Sequence, residues 1–319
     1  MANGQWLIAK NKMTPLVSVC VTTYNHEPYL ATALDAILAQ RCDFGVEIIL
    51  GEDCSSDGTL AVCREYAEKY PETITLRAST ENVGWRANYR RCVEAARGKY
   101  IAFCDGDDYW CDENRLAEQV ALMEQQPSVG LCYTLAERRD ANGELVGRFP
   151  IGEGHITLDA LLHDWCVENC TTLARRDLVL AYYDTEKPEN HPEWLTEDLP
   201  IWLFVASRSE VAYIDRVTAV HRVFPDSVSH STSLAKRLAF CDSSSNIKLW
   251  FDESCNGSRQ RRHLLRERMN TALWVYSHIG SMGDFVKRWW SEIKARPMHI
   301  LSITPYGLFA KKLLRNKNH

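Results

Sequence analysis

Long apolar runs are missing from this sequence of 319 residues. The longest continuous apolar stretch covers residues 201–206, whereas a helix needs roughly 20 apolar residues to cross a bilayer. Residues 1–10 hold no apolar segment long enough for the core of a signal peptide. We therefore expect a protein that does not cross a membrane by itself. We expect it in the cytoplasm or peripherally on the inner face of the cytoplasmic membrane.

Paired cysteines are also missing, although the chain has 12 cysteines. There is no C-x2-C pair, and the C-x3-C of Cys166 and Cys170 has no matching His or Cys pair nearby, so a structural zinc site is not expected. Several thiols, including those of Cys20 and Cys104, lie inside apolar runs. We expect free thiols that act as small apolar side chains in a reducing compartment.

Three further signals are absent. No glycine-rich dinucleotide fingerprint follows the first predicted strand. A calcium loop that starts at Asp105 would need Gly at its sixth position and Glu at its twelfth, where the sequence has Trp110 and Leu116. The net charge of -5 gives no reason to expect binding to nucleic acid.

Short apolar runs alternate with segments of helical periodicity between residues 15 and 135. This alternation predicts an α/β fold with a Rossmann-like, mostly parallel sheet and flanking helices, whose ligands bind at the carboxyl ends of the strands. The later pattern is looser, and residues 232–280 are again helical in periodicity. The predicted strands are 16–23, 46–50, 74–76, 100–104, 129–135 and 211–223, the last as one strand or a pair; the predicted helices are 28–40, 58–70 with Asp57 as N-cap, 85–96, 157–165 and 194–207.

Asp105, Asp107 and Asp108 come directly after the fourth predicted strand. Three carboxylates within four residues repel one another, so a cation is expected among them. Mg²⁺ and Mn²⁺ are held by one or two carboxylates together with substrate phosphates, which favours a diphosphate ligand. In the alternative interpretation, these acids belong to a helix N-terminus near Asp112 and Glu113 and offset its dipole.

Four ordered blocks stand out between residues 17 and 108. They are Val17-Ser-Val-Cys-Val-Thr-Thr-Tyr-Asn25; Glu52-Asp-Cys-Ser-Ser-Asp-Gly-Thr59; a block from Asn82-Val-Gly through Asn88 to Ala96-Arg-Gly-Lys-Tyr-Ile101; and Asp105-Gly-Asp-Asp108. In their order and spacing, these blocks resemble the family 2 glycosyltransferases. One departure is Glu52, which stands where Asp is usual. The resemblance implies a GT-A fold and an inverting hexosyl- or N-acetylhexosaminyl-transferase.

The resemblance also implies a donor site. Thr23 and Tyr24 would flank the nucleotide base, Asp53 would hydrogen-bond it, and Asp105 would meet the ribose. Asp107 would ligate a metal on the diphosphate, with Asp108 in support. Further donor-site candidates are Asn25, Asn82, Gly84, Asn88 and Gly106. For Asn82, Gly84 and Asn88, a structural role in the turn and the helix start stays open.

Glu197 and Asp198 resemble the family segment whose acid is the general base. An inverting transfer needs one carboxylate to take the proton of the acceptor hydroxyl, on the sugar face opposite the leaving diphosphate. We assign this role to Asp198 before Glu197. The alternative is that both acids cap a helix.

His221 and Arg222 resemble the family's tyrosine-arginine stretch, which a serine-containing loop at 227–229 follows. Arg222 would clamp the diphosphate. His221 stands where Tyr is more usual and is either a third metal ligand, beside Asp105 and Asp107, or a packed, hydrogen-bonded side chain. Asn169, Thr171 and Thr172 precede a short predicted strand, and their position makes them candidates to line the acceptor side.

The end of the sequence is basic. Residues 259–319 carry 13 Lys and Arg against three acids, and residues 285–318 combine Trp289 and Trp290 with eight of those cations. Such a segment suits peripheral contact with a membrane, next to a lipid-linked acceptor. The alternatives are a helix packed on the catalytic domain, a dimer contact or a solvated helical face.

These expectations divide the chain into two domains. Residues 1–230 form the GT-A catalytic domain, with a nucleotide-sugar-binding half at 15–135 and an acceptor-side half at 136–230. Residues 231–319 form a helical, basic C-terminal region.

The expected activity is sugar transfer from a nucleotide-diphosphate sugar to a glycan or lipid-linked acceptor, with Mn²⁺ or Mg²⁺ as cofactor. Only the resemblance suggests a UDP-sugar and a role in bacterial surface polysaccharide or lipopolysaccharide synthesis. Two other classes stay open: a sugar-nucleotidyltransferase, and a non-catalytic glycan-binding protein of GT-A-like fold.

Overall fold

The computed structural model describes residues 14–150, 154–164, 167–224 and 231–295. They form two compact units. The first holds the described residues up to His191 together with Glu197–Val223, and the second holds Pro192–Thr196 and the described residues from Phe224 onward. The predicted domain boundary at residue 230, the serine-containing loop and Cys166 lie outside the described residues, so the domain division stays a prediction.

The first unit begins with alternating strands and helices. Its strands and helices are β1 (Pro15–Thr23), α1 (Glu27–Leu38), β2 (Gly45–Glu52), α2 (Thr59–Lys69), β3 (Ile74–Ala78), α3 (Trp85–Ala95), β4 (Tyr100–Phe103), β5 (Tyr109–Trp110), α4 (Arg115–Gln125), β6 (Val129–Arg139), β7 (Leu145–Phe149), α5 (Leu158–His163), β8 (Leu173–Arg175), α6 (Arg176–Glu186), α7 (Asp198–Ala206) and β9 (Glu210–Arg222). Single 3-10 turns cover Asn169–Thr171 and Pro188–Asn190.

The described strands form one sheet in the order β3-β2-β1-β4-β8-β6-β9-β5, with β7 beside β6. The strands β3, β2, β1 and β4 are parallel, as predicted. β8 is antiparallel to both of its neighbours, and β6 and β9 are parallel to each other. Nearly every residue of β1 and β2 is buried, which fits the continuous apolar runs that parallel strands between helices need. Thr23 pairs with Glu52, so these two strands end side by side.

Several boundaries differ from the sequence predictions by a few residues, and three of these differences have a clear structural context. The strand predicted at 129–135 extends to Arg139, because it pairs along its length with β9, which is one strand rather than two. The N-cap of α2 is Gly58 rather than Asp57, although Asp57 Oδ1 still accepts the N–H of Thr59 at 3.0 Å. The helix predicted from residue 194 begins at Asp198. An earlier start would place Pro200 in the second turn, where its missing N–H and its ring oppose a helix.

The second unit contains α8 (Leu234–Asn256), α9 (Arg261–His278) and α10 (Met282–Ala295). Phe285 of α10 packs on Met269 and Leu273 of α9, which forms a small apolar core. Trp194 belongs to this unit and lies with its ring centroid 6.3 Å from that of Phe251 in α8. Among the helices of the described ranges, none combines the length and apolar content that a membrane crossing requires.

Candidate functional site

The loop after β1 is tied to the loop after β2. Asn25 has a positive φ of 57° and accepts the N–H of Ser56 at 2.9 Å, while its own N–H donates to Ser55 Oγ at 3.0 Å. The buried Glu52 accepts the N–H groups of Cys54 at 3.3 Å and Ser55 at 2.7 Å. The longer arm of Glu52, where the resemblance expects Asp, therefore stabilises its own loop.

Asp53 is buried at the end of β2 and binds the loop between β3 and α3. Its carboxylate accepts the N–H groups of Val83 at 2.9 Å and Gly84 at 3.0 Å, and its carbonyl accepts the Asn82 side-chain amide at 3.2 Å. The φ of 84° at Gly84 favours glycine there. Asn88 donates to a backbone carbonyl of β2 at 3.0 Å. Asn82, Gly84 and Asn88 thus have structural contacts, and their contact with a donor stays a prediction.

Asp105 follows β4 and is held by neutral donors. The Thr22 hydroxyl donates to Oδ1, and the Asn169 amide donates to Oδ2 at 3.1 Å and also to the Tyr89 hydroxyl. Burial and the charges of the two neighbouring aspartates raise the pKa of Asp105 to about 7, although these hydrogen bonds oppose the rise. The site can therefore stabilise added positive charge.

Gly106 allows the acidic loop to approach the end of β1. A Cβ at this position would lie 2.8 Å from Thr23 Oγ1 and 3.0 Å from His26 Nδ1. Both of these atoms are buried and have no hydrogen-bond partner among the described residues. Asp107 Oδ2 lies 3.7 Å from His26 Nε2. Tyr24, which is in the loop after β1 together with His26, is 45% exposed. Thr23, which was predicted to flank the base, therefore lies close to Gly106, the neighbour of the predicted metal ligand Asp107.

Asp108 is buried in a charged cluster on the other side of this loop. It accepts the backbone N–H of Arg222 at 2.9 Å. The Nδ1 atom of His221 lies 3.6 Å from a carboxylate oxygen of Asp108 and 3.6 Å from one of Glu168, which Arg138 Nε binds at 2.6 Å. Burial alone would lower the pKa of His221, but the two carboxylates outweigh it and raise this pKa to about 10. His221 is therefore a cation at neutral pH in this arrangement, and its role as a metal ligand stays a prediction.

These pairings leave Asp107 as the carboxylate open to a metal ion. No group of three or more His, Cys, Asp and Glu side chains within the described ranges could hold a metal alone. The predicted ligand set of Asp105, Asp107 and His221 would therefore need phosphate oxygens to complete it, and it stays a prediction. The side chain of Asp107 is 26% exposed, and burial and Asp108 raise its pKa. One open carboxylate fits the way Mg²⁺ is bound, by few protein ligands together with substrate phosphates.

Arg222 lies at the edge of the same loop. Its guanidinium donates from Nη1 to the carbonyl of Asp107 and stacks over the rings of Tyr109 at 4.6 Å and Tyr29 at 5.0 Å. A planar guanidinium held in this way is suited to bind an anion next to Asp107.

The acid pair at the start of α7 belongs to the same unit. Glu197 is buried, and Arg86 of α3 donates to its Oε2 at 3.3 Å. Burial raises the pKa of Glu197 to about 7, against the opposing effect of Arg86. Asp198 is partly buried and accepts the N–H of Leu199 at 2.7 Å.

Tyr89 links the two groups of acids. Burial, Asp105 and Asp198 together raise the pKa of its hydroxyl. Its ring stacks on Phe103 with centroids 5.1 Å apart, and Phe103 meets Trp202 of α7 edge-on at 5.4 Å. This aromatic row fixes α7 against the end of β4, so Asp105 and Asp198 act on one hydroxyl although 93 positions separate them in the sequence.

The helix-capping alternatives have different outcomes. α4 begins at Arg115, after β5, so the carboxylates from Asp105 to Asp108 do not cap it. Asp198, in contrast, is the first residue of α7 and its carboxylate does accept a backbone N–H of the first turn. Capping by Asp198 is compatible with catalysis, because a carboxylate has further lone pairs.

Several site residues were not among the predicted ones. Thr22 and His26 directly flank the predicted Thr23–Asn25 stretch, so their position in the loop was a usable signal. Tyr89 follows Asn88 and was equally close to a motif. Nothing local marked Arg86, whose partner Glu197 lies 111 positions away.

Glu197 should give the fold a pH dependence. The pKa of Glu197 in the folded protein, about 7, exceeds its ordinary value of 4.5. The protonated side chain therefore stabilises the fold fully below pH 4.5, and this contribution is lost as the pH rises through 7. We expect the unfolding free energy of the wild type to fall relative to Glu197→Gln by on the order of 3 kcal/mol over this range. Urea unfolding at several pH values measures the difference. Glu189→Gln, a change at an exposed carboxylate, should track the wild type, and parallel curves for Glu197→Gln would show that Glu197 is not the titrating group.

Comparison with known proteins identifies the family. Residues 18–179, half of the chain, match the profile of Glycosyl transferase family 2. Among curated relatives, the protein Rv1520 of Mycobacterium tuberculosis is 28% identical over 83% of this chain and 75% of its own length. TuaG of Bacillus subtilis, which has a provisional name as a teichuronic acid biosynthesis glycosyltransferase, is 27% identical over 67% of this chain and 82% of its own length.

Solved structures agree on the fold. S. aureus TarS 1–349 in complex with UDP-GlcNAc aligns with a TM-score of 0.53 and 16% identity, over 95% of this chain and 91% of that one. The mannosyltransferase PcManGT of Pyrobaculum calidifontis, in complex with GDP-Man and Mn²⁺, aligns with a TM-score of 0.54 and 18% identity, over 96% and 88%. The predicted GT-A fold is thereby confirmed, and the chain belongs to glycosyltransferase family 2.

Proposed function

We propose that this enzyme transfers a sugar from a nucleotide-diphosphate sugar, with UDP as the favoured nucleotide, to an acceptor hydroxyl with inversion. The acceptor is a glycan or a lipid-linked glycan, and the product is part of a bacterial surface polysaccharide or lipopolysaccharide. Relatives with names in polysaccharide synthesis, such as TuaG, support this assignment.

One set of contacts supports the proposal: the amide of Asn169 donates to both Asp105 and the hydroxyl of Tyr89, and the ring of Tyr89 stacks on Phe103, which meets Trp202 of α7 edge-on. Because α7 begins at Asp198, we propose that a donor at the loop of Asp105 and a general base at Asp198 serve one sugar. In a single displacement, the acceptor oxygen attacks the anomeric carbon while the bond to the diphosphate breaks. Asp198 takes the hydroxyl proton from the face opposite the leaving group, and inversion follows.

On the donor side, the exposed ring of Tyr24 is available to the base. Asp53 already accepts the N–H groups of Val83 and Gly84, and it would bind the base through a remaining lone pair. Asp105 accepts hydrogen bonds from neutral groups and would accept those of a ribose hydroxyl. Arg222 offers a fixed cation to the diphosphate, where negative charge develops as the bond breaks. A bound Mn²⁺ or Mg²⁺, held by Asp107 and the phosphates, would supply Lewis-acid stabilisation of the leaving group.

The two competing classes are less well supported. A sugar-nucleotidyltransferase should have a glycine-rich, basic loop after β1, where this chain has Thr22-Thr-Tyr-Asn-His26. A non-catalytic glycan-binding protein has no use for Asp198 beside the donor acids. Activity lost by single acid substitutions would separate an enzyme from such a protein.

A thermal-shift screen tests the donor assignment. UDP, GDP, dTDP and CMP would each be added with and without Mn²⁺ or Mg²⁺. A ligand at 100 times its dissociation constant should add about 2.7 kcal/mol of apparent stability. We expect a metal-dependent shift with one diphosphate, UDP above the others. If all four nucleotides leave the melting temperature unchanged with either metal, the donor-site assignment is wrong.

Peripheral membrane contact is part of the proposal. On α10, Trp290 is 58% exposed and Val286 is 41% exposed, and both lie beside the exposed Lys287 and Lys294. Residues 286, 287, 290 and 294 share one side of a helix, opposite the buried Phe285. An aromatic, basic and acid-free side of a helix suits the interface of an anionic bilayer. The rest of the predicted segment, residues 296–318, lies outside the described residues.

Vesicle sedimentation tests this contact. The protein should bind vesicles of phosphatidylcholine with phosphatidylglycerol better than vesicles of phosphatidylcholine alone. Replacing both Lys287 and Lys294 by Gln should weaken binding by roughly 2 kcal/mol, or about 30-fold. Trp274→Ala, at an exposed tryptophan of α9, is the matched control. Equal binding to both kinds of vesicle, or none, would contradict the proposal.

A further inference from the structure

The guanidinium of Arg86 joins three separate parts of the catalytic unit. It donates from Nη1 to the carbonyl of Pro188 at 2.8 Å, from Nη2 to that of His191 at 3.4 Å, and from Nε to Glu197 at 3.3 Å. It also lies 5.0 Å from the ring of Trp85. One side chain at the start of α3 thus holds both the 188–191 turn and the residue before α7.

The partner of Arg86 needs this cation. Glu197 is 3% exposed, and a buried carboxylate without a paired cation is strongly unfavourable. Glu197 is the N-cap residue of α7, and Asp198 is the next residue. Whatever fixes Glu197 therefore also fixes the direction from which Asp198 enters the site.

The backbone of Arg86 lies close to the predicted donor site. It lies two residues after Gly84, whose N–H binds the carboxylate of Asp53. The loop between β3 and α3, which holds the predicted donor-site residue Gly84, is therefore connected to the start of α7 through Arg86 and Glu197. A planar fork with several donors can make these contacts together, whereas the ammonium of lysine is a single point.

We propose that Arg86 is a positioning residue that holds the first turn of α7, and with it Asp198, at the distance from the donor loop that transfer requires. This proposal rests on the proposed function for its kinetic consequence but not for its structural one. It assigns no contact with substrate to Arg86.

The kinetic test compares Arg86→Met and Arg86→Lys with the wild type. Displacement of a catalytic group by about 1 Å costs roughly 100-fold in rate, so Arg86→Met should lower kcat roughly 10- to 100-fold while the KM for the donor changes less than about threefold. Arg86→Lys should recover only part of the loss. The matched control is Arg90→Met, one turn along α3, whose guanidinium pairs with the exposed Glu94 and Glu189; its kcat should stay within about twofold of the wild type.

Hydrogen exchange supplies a readout that does not need activity. Amides of residues 198–206 should exchange faster in Arg86→Met than in Arg90→Met, while those of β1 and β2 stay protected in both. Unchanged exchange in α7, or a loss of kcat that Arg86→Lys restores fully, would overturn the proposal. Faster exchange in a protein that transfers no sugar even as wild type would keep the positioning role and reject the transferase function.

Discussion

Replacing Asp198 by Asn should lower kcat by roughly 100- to 10,000-fold, the range that a positioned general base contributes. Asn is the matched replacement, because its side-chain oxygen can still accept the N–H of Leu199 and keep the first turn of α7. It cannot take the proton of an acceptor hydroxyl. The loss should therefore appear in the chemical step rather than in folding or donor binding.

Three measurements separate these effects. Initial rates with saturating donor give kcat, thermal shifts with nucleotide and metal report the donor site, and the melting temperature without ligand reports the fold. Glu197→Gln serves as the neighbouring comparison and should lose less activity than Asp198→Asn. A larger loss for Glu197→Gln would transfer the role of base to Glu197. More than about one-tenth of wild-type activity in Asp198→Asn would exclude it as the base.

The sequence predicts that Thr23, Asp53 and Asp105 meet at one edge of the sheet, for a physical reason, whereas their contact with a donor stays a prediction. Parallel strands bring their carboxyl ends to one edge, so residues that follow β1, β2 and β4 must meet there once the strands are recognised. Thr23, Asp53 and Asp105 are such residues, and each directly ends or follows a strand that is a buried apolar run. Local patterns and a simple rule of topology were therefore sufficient.

The acceptor half depends on contacts that no local pattern records. The pairing of Arg86 with Glu197 spans 111 positions, and the position of α7 depends on Trp202 meeting Phe103. The state of His221 likewise depends on Glu168, which comes from a different stretch of chain. The sequence left two roles open for His221, a third metal ligand or a packed, hydrogen-bonded side chain, and a lone His more often has the second. Its two carboxylate partners, which only the fold brings together, favour the second role.

Replacing Asp107 by Asn should abolish the metal-dependent thermal shift with the donor nucleotide, which we expect to reach about 2.7 kcal/mol in the wild type at 100 times the dissociation constant. The reason is that the carboxylates of the three aspartates have different contacts. Asp105 is held by hydrogen bonds and Asp108 by a hydrogen bond and His221, whereas the partly exposed carboxylate of Asp107 has His26 at 3.7 Å. An amide keeps its shape but loses the charge that a hard divalent cation needs.

Without ligand, the melting temperature of Asp107→Asn should not fall, although this variant loses the ligand-dependent shift. Burial and Asp108 raise the pKa of Asp107, so its charge is unfavourable without a cation and Asp107→Asn should melt no lower than the wild type. Asp108→Asn is the matched contrast. It weakens the buried pair with His221 and should melt lower without ligand, yet keep a metal-dependent shift. If Asp108→Asn loses the shift and Asp107→Asn keeps it, the metal is held by Asp108, and its pairing with His221 must open when the donor binds.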